Sequence, residues 1–394
     1  MSLNFDMLAT TGLGCIIALI GQSIVRHNKF LREWAIPAPV ASGLILSIIL
    51  AILKVSISLD ITWDKSLANY LMNIFFTCMG FSFSFKNLSK GRKYIAPIFI
   101  TITAIVIIQG TIGILVSQHF GIHPLIGVNA TTGAHAGGPG TAAAFGEMYT
   151  SFGAIGATEA GVASATVGLA LGSLTGGPAA SYLIRKFSLK ADKADEIHTD
   201  QAKDPTILNT RRFFNMVCLI TIIGMFGIPI QFLLKLIPMI EVPYFIGMLF
   251  SGAIARNLME ALKVPFFEEE IDMIESVSLS IFLAVTIMTL DLTIILNLIG
   301  PIALMILLDL IITVGFGMTL CYKMYGSDYD SAVMVAGFIG TSMGSGTNAI
   351  ANQQSVMDQF GYAHKAWIIF PALSVIAVDI ANPLYMSLIV ELFK

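Results

Sequence analysis

Residues 340–352 read Gly-Thr-Ser-Met-Gly-Ser-Gly-Thr-Asn-Ala-Ile-Ala-Asn, a polar and uncharged stretch within a very apolar chain. Because glycine weakens a helix, this stretch predicts a break in regular structure. Residues 131–141 read Thr-Thr-Gly-Ala-His-Ala-Gly-Gly-Pro-Gly-Thr and repeat the pattern in weaker form. Both stretches contain Gly-x-Gly-Thr, at 138–141 and at 344–347. We expect them to be two halves of one membrane-embedded feature.

The composition is that of an all-α polytopic membrane protein. The chain has 394 residues, of which 56% are hydrophobic and 12% charged, and its mean hydropathy is +0.81. Soluble domains carry about 25% charged residues. The four Cys residues lie in apolar runs without the spacing of a metal site or a disulfide framework. The first residues lack the basic start of a signal peptide, so the first apolar segment is expected to remain as a span.

Windows of about 20 mostly apolar residues predict five spans in each half of the chain. The predicted spans are 7–25, 36–53, 67–85, 94–118 and 155–184, followed by 213–235, 240–258, 274–296, 300–322 and 365–391. A broken segment precedes the last span of each half, at about 124–147 and 330–357. The hydrophilic residues 185–212 predict a solvated linker, which separates a first repeat, 1–184, from a second, 213–394.

Matching residues recur between the halves at a nearly constant offset. Pro97 and Pro301 are 204 positions apart, and Pro178 and Pro383 are 205 apart. The two Gly-x-Gly-Thr copies are 206 apart. Several matches in the same order indicate an internal repeat.

Basic residues predict the orientation of the chain, because they favour the cytoplasmic side. We treat each broken segment as a re-entrant hairpin and place both termini outside, which makes the 185–212 linker cytoplasmic. Of the 22 Lys and Arg residues, only Lys54, Lys65, Lys235 and Lys394 then fall outside. Five spans per half is an odd number, so the second repeat is inverted relative to the first. Inverted repeats are typical of secondary transporters, which bind their substrate near the midplane.

The hairpin tips offer groups that bind ions. Irregular backbone exposes amide hydrogens to an anion and carbonyl oxygens to a cation such as Na⁺. Glycines at 137, 138 and 140 allow a ligand to approach the main chain closely. Neutral oxygens and donors are supplied by Ser342, Ser345, Thr347, Asn348 and Asn352. The alternative is that these small residues only permit tight packing of the hairpins.

Ionisable residues inside spans are candidates for function. Asp379 lies one turn before Pro383, which cannot donate a helical hydrogen bond and so leaves a carbonyl free. With Asn382, these groups predict a cation site, although a buried carboxylate satisfied by hydroxyls is the alternative. Asp309 stands alone in its span and is expected, like Glu159, to be structural. His135 is expected to form hydrogen bonds within the first hairpin.

Glycines at 168, 172 and 176 form a stripe of small residues on the fifth span. Such a stripe indicates close helix packing.

Two patterns resemble enzyme motifs. Residues 340–344 match Gly-x-Ser-x-Gly, and Asp358 and His364 follow in the order of a serine hydrolase. That motif requires a preceding strand, which this membrane context does not predict. The first glycine-rich stretch lacks the Lys of a phosphate loop.

At these residues the chain resembles the bacterial sodium/glutamate symporter family. The resemblance covers most of the chain and is carried by residues 39–44, 75–80, 137–141, 349–352 and 378–382. The family's first hairpin typically reads Gly-Gly-His-Gly-Thr, whereas this chain has Pro139 in place of the His. The second typically reads Thr-Pro-Thr-Ala-Ile-Ala-Asn, and here Asn348 replaces the second Thr.

The resemblance implies a homodimer in the bacterial inner membrane that imports L-glutamate with Na⁺ by an elevator movement. The substrate carboxylate is expected at Gly137, Gly138, Gly140, Thr141, Ser342, Ser345, Gly346, Thr347 and Asn348. Sodium is expected at Thr347, Asn348, Asn352, Asp379 and Asn382. No other cofactor, no nucleic acid and no enzymatic activity is expected. The alternatives are another amino or organic acid as substrate, a passive channel, and a membrane-embedded hydrolase.

Overall fold

The structure, a computed structural model, describes residues 2–29, 31, 36–57, 60–86, 92–191, 209–236 and 242–394. Most of the predicted linker lies outside the described residues. The helices are α1 Met7–His27, α2 Ala38–Ile57, α3 Ser66–Phe81, α4 Arg92–Phe120, α5 Pro124–Val128, α6 Gly138–Ser151, α7 Ala157–Lys186, α8 Thr210–Lys235, α9 Tyr244–Leu262, α10 Glu268–Met288, α11 Leu292–Ile295, α12 Ile299–Phe316, α13 Tyr322–Tyr325, α14 Tyr329–Ser342, α15 Gly346–Phe360 and α16 His364–Phe393. Two short strands, β1 Ser2–Phe5 and β2 Asp60–Trp63, pair in parallel.

Within these described ranges, nine helices are long and apolar enough to cross a membrane. They match nine of the ten predicted spans, the eighth running from Ile299 to Tyr325. The predicted span 67–85 overlaps α3, Ser66–Phe81, which has only 16 residues. On α2 the apolar side chains of Ile45, Ile48, Ile49 and Ile52 are exposed, as expected of a surface that faces lipid. The protein is therefore a multi-pass α-helical membrane protein.

The helices group into two compact units, and each unit takes helices from both halves of the chain. The first unit contains the first three spans of each half, which are α1 to α3 and α8 to α10. The second contains the fourth span, the broken segment and the fifth span of each half. All residues predicted to form the site lie in the second unit.

In the first unit, small residues allow backbones to cross closely. A Cβ on Gly80 in α3 would overlap the carbonyl oxygen of Leu249 in α9. One on Gly43 in α2 would lie 2.9 Å from Ile287 in α10. In a bilayer, apolar side chains are as well solvated by lipid tails as by another helix, so the hydrophobic effect does not drive helices together. Close van der Waals packing at small residues stabilises the helix pairs instead.

An ion pair connects two segments of this unit. Lys54 Nζ donates to Asp291 Oδ2 at 2.6 Å, and Thr293 Oγ1 donates to the other carboxylate oxygen at 2.6 Å. Burial alone would raise the pKa of Asp291, but these hydrogen bonds and the charge of Lys54 hold the pKa below its usual value. The pair thus joins the end of α2 to the residues that follow α10.

The crossing of α3 and α9 gives a direct stability test. We expect Gly80→Ala to lower the unfolding free energy by about 1–3 kcal/mol, because the added methyl group must push the two backbones apart. Gly12→Ala is the matched control, since a Cβ on Gly12 meets no atom within 4 Å. Thermal unfolding in detergent measures both. Equal melting temperatures for the two variants would contradict the close crossing.

Candidate functional site

The second broken segment folds as a helical hairpin. Asp328 caps α14 by accepting a hydrogen bond from the Ser331 amide at 2.8 Å, and α14 ends at Ser342. Three non-helical residues follow before α15 begins at Gly346. Ser345 caps α15 because its hydroxyl accepts from the Asn348 amide at 3.4 Å. The prediction that residues 340–346 interrupt regular helix is confirmed.

Contacts between α14 and α15 show that the chain reverses direction. Asn352 Nδ2 donates to the Ala336 carbonyl at 3.2 Å, and a Cβ on Gly340 would lie 2.6 Å from the Ala349 amide nitrogen. Gly340 and Ala349, which lie near the break, are close to each other, and so are Ala336 and Asn352, which lie farther from it. This pattern is that of two antiparallel helices. The hairpin spans Tyr329 to Phe360, close to the predicted 330–357.

The first broken segment is also a hairpin, with a less regular first arm. It starts with α5, continues through a π-helical turn at Asn129–Gly133, and returns through α6. Asn129 Nδ2 donates across the hairpin to the Ala142 carbonyl at 2.9 Å. Gly138 begins α6 with φ +73°, a left-handed conformation that glycine adopts without strain.

The tips of the two hairpins meet. A Cβ on Gly138 would lie only 2.9 Å from the carbonyl oxygen of Gly344. Helices α6 and α15 both begin at this contact, so the free amide hydrogens of two helix N-termini converge there. Pro139 contributes no amide hydrogen. Glycine at position 138 therefore makes possible the meeting of two segments that lie 206 positions apart in sequence.

Helix α7 supports the second hairpin along its length. Asn348 Nδ2 donates to the Leu169 carbonyl at 2.8 Å, and Asn352 Nδ2 donates to the Gly172 carbonyl at 3.0 Å. A Cβ on Gly172 would lie 3.0 Å from Met343, and one on Gly176 would overlap Asn352 Nδ2. The packing role predicted for the glycine stripe is confirmed.

Helix α16 places Asp379 beside both tips. A Cβ on Gly346 would lie 2.7 Å from Val375, and one on Gly137 would lie 2.5 Å from Asn382 Nδ2. Residues four and three apart share one face of a helix, so Asp379 lies on that face between Val375 and Asn382. The carboxylate is half-buried, and the described residues supply no hydrogen bond to it.

Asn382 ties this helix to the first hairpin. Its Oδ1 accepts from Thr132 Oγ1 at 2.8 Å, and its Nδ2 donates to the Thr132 carbonyl at 3.2 Å. The side chain is fully buried. Pro383 next to it offers no amide to the Asp379 carbonyl, as predicted.

The remaining predicted site residues differ in exposure. Gly140 and Thr141 are buried in the first turn of α6. Ser345 and Gly346 are half-buried, and Thr347 is exposed with its hydroxyl 2.7 Å from Ser345 Oγ. Two buried oxygens, Ser342 Oγ and Asn348 Oδ1, have no hydrogen-bond partner among the described residues. Both are available to a ligand.

Sequence reasoning missed two polar contacts near the tips. Gln109 in α4 donates through Nε2 to the Ser342 carbonyl at 2.8 Å and to Thr313 Oγ1 at 3.2 Å. The sequence did contain a signal for this contact, because a polar Gln in the middle of an apolar span needs a hydrogen-bond partner. The sequence also held no sign of a partner for Asp309, which was expected to be structural; its Oδ2 lies 2.7 Å from His135 Nδ1. The expected hydrogen-bonding role of His135 is confirmed.

The Gly-x-Ser-x-Gly match has the wrong surroundings for a hydrolase. Ser342 is the last residue of a helix, whereas the nucleophile of that motif follows a strand. Among the residues that the structure describes, strands occur only at 2–5 and 60–63, far from it in sequence.

The geometry defines a class of protein. A multi-pass helical membrane protein in which two broken hairpins bring free backbone groups together among apolar spans has the construction of a secondary transporter.

Sequence comparison then gives the family. Residues 3–362 match the sodium/glutamate symporter family, and the chain belongs to it. It is 31% identical over 393 residues to the sodium/glutamate symporter of Escherichia coli K12, covering 98% of this chain and 97% of that protein. It is 32% identical over 392 residues to the sodium/glutamate symporter of Haemophilus influenzae, covering 97% and 96%.

The packing of Asn352 against α7 can be tested by substituting two adjacent glycines of α7. We expect Gly176→Ala to reduce substrate affinity at least about tenfold, because the methyl group displaces Asn352 and shifts the second hairpin. Gly177→Ala is the control, since a Cβ there meets only Ser355 Oγ at 3.8 Å. Calorimetric titration of L-glutamate into detergent-purified protein with Na⁺ present compares the two. Equal affinities would show that α7 does not position the hairpin.

Proposed function

We propose that the protein is a secondary active transporter that imports L-glutamate together with Na⁺. The observation that carries the proposal is the contact between Gly138 and Gly344, where two helix N-termini converge beside Asp379. Partial positive charge at the N-termini attracts a carboxylate, and the aspartate attracts a cation. One site thus holds both partners of a symport reaction. The names and coverage of the related symporters support the same substrates.

The substrate carboxylate would bind the amides at the start of α6 and α15. In the first hairpin these are the amides of Gly138 and Gly140, with the Thr141 hydroxyl beside them. The Gly137 amide already donates to the Thr132 carbonyl at 3.1 Å, so Gly137 would serve by leaving room for the ligand. In the second they are the amides of Gly346 and Thr347, with the unpartnered Ser342 hydroxyl nearby. The Ser345 amide already donates to the Gly340 carbonyl at 3.1 Å and the Asn348 amide to Ser345 Oγ at 3.4 Å, so these two residues would contribute their side chains. The absence of side chains at the glycines lets the ligand reach the main chain.

Sodium would bind oxygen atoms on the Asp379 side of the site. The carboxylate of Asp379 lacks a hydrogen-bond donor among the described residues, and Asn348 Oδ1 is buried without a partner. Thr347, Asn352 and Asn382 supply further oxygens close by. A cation there would offset the negative charge of Asp379 and of the substrate, which explains why the two would bind together.

We propose an elevator mechanism in which the hairpins and their neighbouring spans cross the membrane together. This is supported by the grouping of both hairpins with α4, α7, α12 and α16 in one compact unit. The constant offsets between the halves support an internal repeat, and the odd number of predicted spans in each half supports its inversion. The distribution of Lys and Arg supports both termini outside and residues 185–212 in the cytoplasm. A homodimer in the bacterial inner membrane completes the proposal.

Another small carboxylate is the second candidate for the substrate. Neither 124–151 nor 329–360 contains an Arg or Lys to bind a second carboxylate group. Pro139 and Asn348 both lie at the tips, so the site itself has changed where the family pattern has His and Thr. These features favour a substrate with one carboxylate, such as a neutral amino acid or an organic acid.

Uptake into proteoliposomes tests the function. We expect labelled L-glutamate to accumulate above its external concentration only when a Na⁺ gradient points inward. Replacing Na⁺ with K⁺ should abolish accumulation. Flux without accumulation would indicate a channel. If glutamate fails but another amino or organic acid accumulates with Na⁺, the second candidate is correct, and if none does, the proposal is wrong.

Asp379→Asn tests the cation site. Loss of the carboxylate charge should raise the Na⁺ concentration for half-maximal uptake at least about tenfold, which corresponds to about 1.4 kcal/mol of binding free energy. Asp358→Asn is the control, because Asp358 is exposed and, among the described residues, its carboxylate accepts a hydrogen bond only from Gln354 in its own helix. Na⁺ titration of uptake measures both variants. Unchanged Na⁺ activation in Asp379→Asn would remove this residue from the site.

A further inference from the structure

The end of α7 presents two basic residues beside an open cavity. The helix finishes with Arg185 and Lys186, directly after the predicted span 155–184. A cavity of about 570 Å³ opens here, and its described lining consists of Pro178, Ser181, Tyr182, Arg185 and Lys186. This volume is in the range of sites that hold a small organic molecule. None of these residues belongs to the site at the hairpin tips.

The two cations contact aromatic rings and have no anionic partner. Arg185 Cζ lies 5.9 Å from the centroid of the Phe360 ring. Lys186 Nζ lies 5.4 Å from the ring centroid of Tyr182 and 5.6 Å from that of Phe187. Aromatic rings stabilise a cation but do not neutralise its charge. Among the described residues, neither basic side chain forms an ion pair or a hydrogen bond.

The described acids on the neighbouring elements have other partners or lie far away. Asp358 on α15 accepts a hydrogen bond from its own helix, Asp328 caps α14, and Asp330 lies 3.7 Å from Lys365. Glu159 lies in the first turn of α7, at its opposite end. The charge at the end of α7 is therefore positive.

The residues after α7 hold this basic end in place. The Leu189 amide donates back to the Ile184 carbonyl at 3.0 Å. The Phe187 ring stacks on Tyr322, with the ring centroids 5.4 Å apart. A closed turn and an aromatic stack fix the backbone that carries the two cations. Less conformational freedom is then lost when an anion binds.

An apolar surface continues from the cations along the same face of α7. Leu174, Pro178 and Tyr182 are exposed and follow one another at four-residue intervals, and Arg185 comes three residues later. Residues at these intervals share one face of a helix. Leu174 precedes Arg185 by about 16 Å of helix, which is about half the thickness of the bilayer core. We call this surface the α7 stripe. It has the length of one leaflet and a positive end.

We propose that the α7 stripe and its cavity bind one anionic phospholipid, from the leaflet on the side of the 185–212 linker. The phosphate accepts paired hydrogen bonds from the Arg185 guanidinium and is attracted to Lys186 as a point charge. The Ser181 hydroxyl donates to an oxygen of the headgroup. One acyl chain lies along the apolar part of the stripe. Basic pockets at the ends of membrane helices suit anionic headgroups in this way.

The linker itself is a poorer match for this surface. Residues 192–206 follow in sequence and lie outside the described residues. They contain five acids but only one large apolar side chain, Ile197. Such a segment offers carboxylates to the cations and almost nothing to the apolar stripe. A phospholipid matches both parts of the surface, because it joins an anionic headgroup to an apolar chain.

Thermal unfolding in detergent micelles that contain lipid tests the site. Phosphatidylglycerol should raise the unfolding temperature in a saturable manner, because a ligand of the folded state stabilises it. Phosphatidylethanolamine with the same acyl chains carries a compensating amine and should raise the temperature less. The double variant Arg185→Gln/Lys186→Gln should need at least about tenfold more phosphatidylglycerol for the half-maximal rise, because each cation near a membrane surface contributes about 1 kcal/mol.

Lys93→Gln/Lys323→Gln is the matched control. It removes two exposed positive charges from the same compact unit, and neither residue lines the cavity. Lys93 Nζ also lies over a tyrosine ring, 5.6 Å from the centroid of Tyr94. The control variant should respond to phosphatidylglycerol like the wild type. Because the substituted side chains are exposed, both double variants should unfold at the wild-type temperature in lipid-free detergent.

A single variant covers the case in which the first double variant does not fold. Arg185→Gln alone should need about fivefold more phosphatidylglycerol. The proposal is wrong if the two lipids stabilise the wild type equally, if the cavity variants respond like the wild type, or if the control loses as much as they do. Equal stabilisation by soluble glycerol phosphate would also contradict it, because the ligand would then be a free phosphate. The outcome does not depend on which substrate is transported.

Discussion

The contact between Gly138 and Gly344 is the constraint on which the site depends. Two chain breaks inside an apolar protein leave backbone amides and carbonyls without helical partners, and such groups survive at depth only when protein or a ligand satisfies them. Bringing the breaks together concentrates the unsatisfied groups in one place. The proposed binding site for ions of both signs would follow directly from this arrangement of the backbone.

Asparagine side chains satisfy much of the remaining main chain around the hairpins. Asn129 crosses the first hairpin, Asn348 and Asn352 reach the backbone of α7, and Asn382 holds Thr132. An amide side chain carries both a donor and an acceptor, so it can replace a lost backbone partner of either kind. These residues hold the hairpins in position without placing a charge in the membrane.

Hydrophobic pattern and glycine content predicted most of the architecture. Nine of the ten predicted spans and both hairpins are present, because apolar length and helix-breaking composition are local properties. Their ends lie within four residues of the prediction except for the span predicted at 274–296, which is Glu268–Met288. The packing stripe at Gly168, Gly172 and Gly176 could also be predicted, because its four-residue spacing lies within a single helix. By contrast, Asp309 looked isolated because its partner His135 lies 174 residues away.

By itself the sequence determined that this protein crosses the membrane repeatedly, where its helices break, and which polar residues stand near the breaks. Only the tertiary structure decided which of them meet: Gly138 with Gly344, Asn382 with Thr132, and Gln109 with Ser342. The physical reason is that spans of similar hydrophobicity carry no local signal for their neighbours. Their pairing depends on the fit of small residues and polar groups across long distances in sequence.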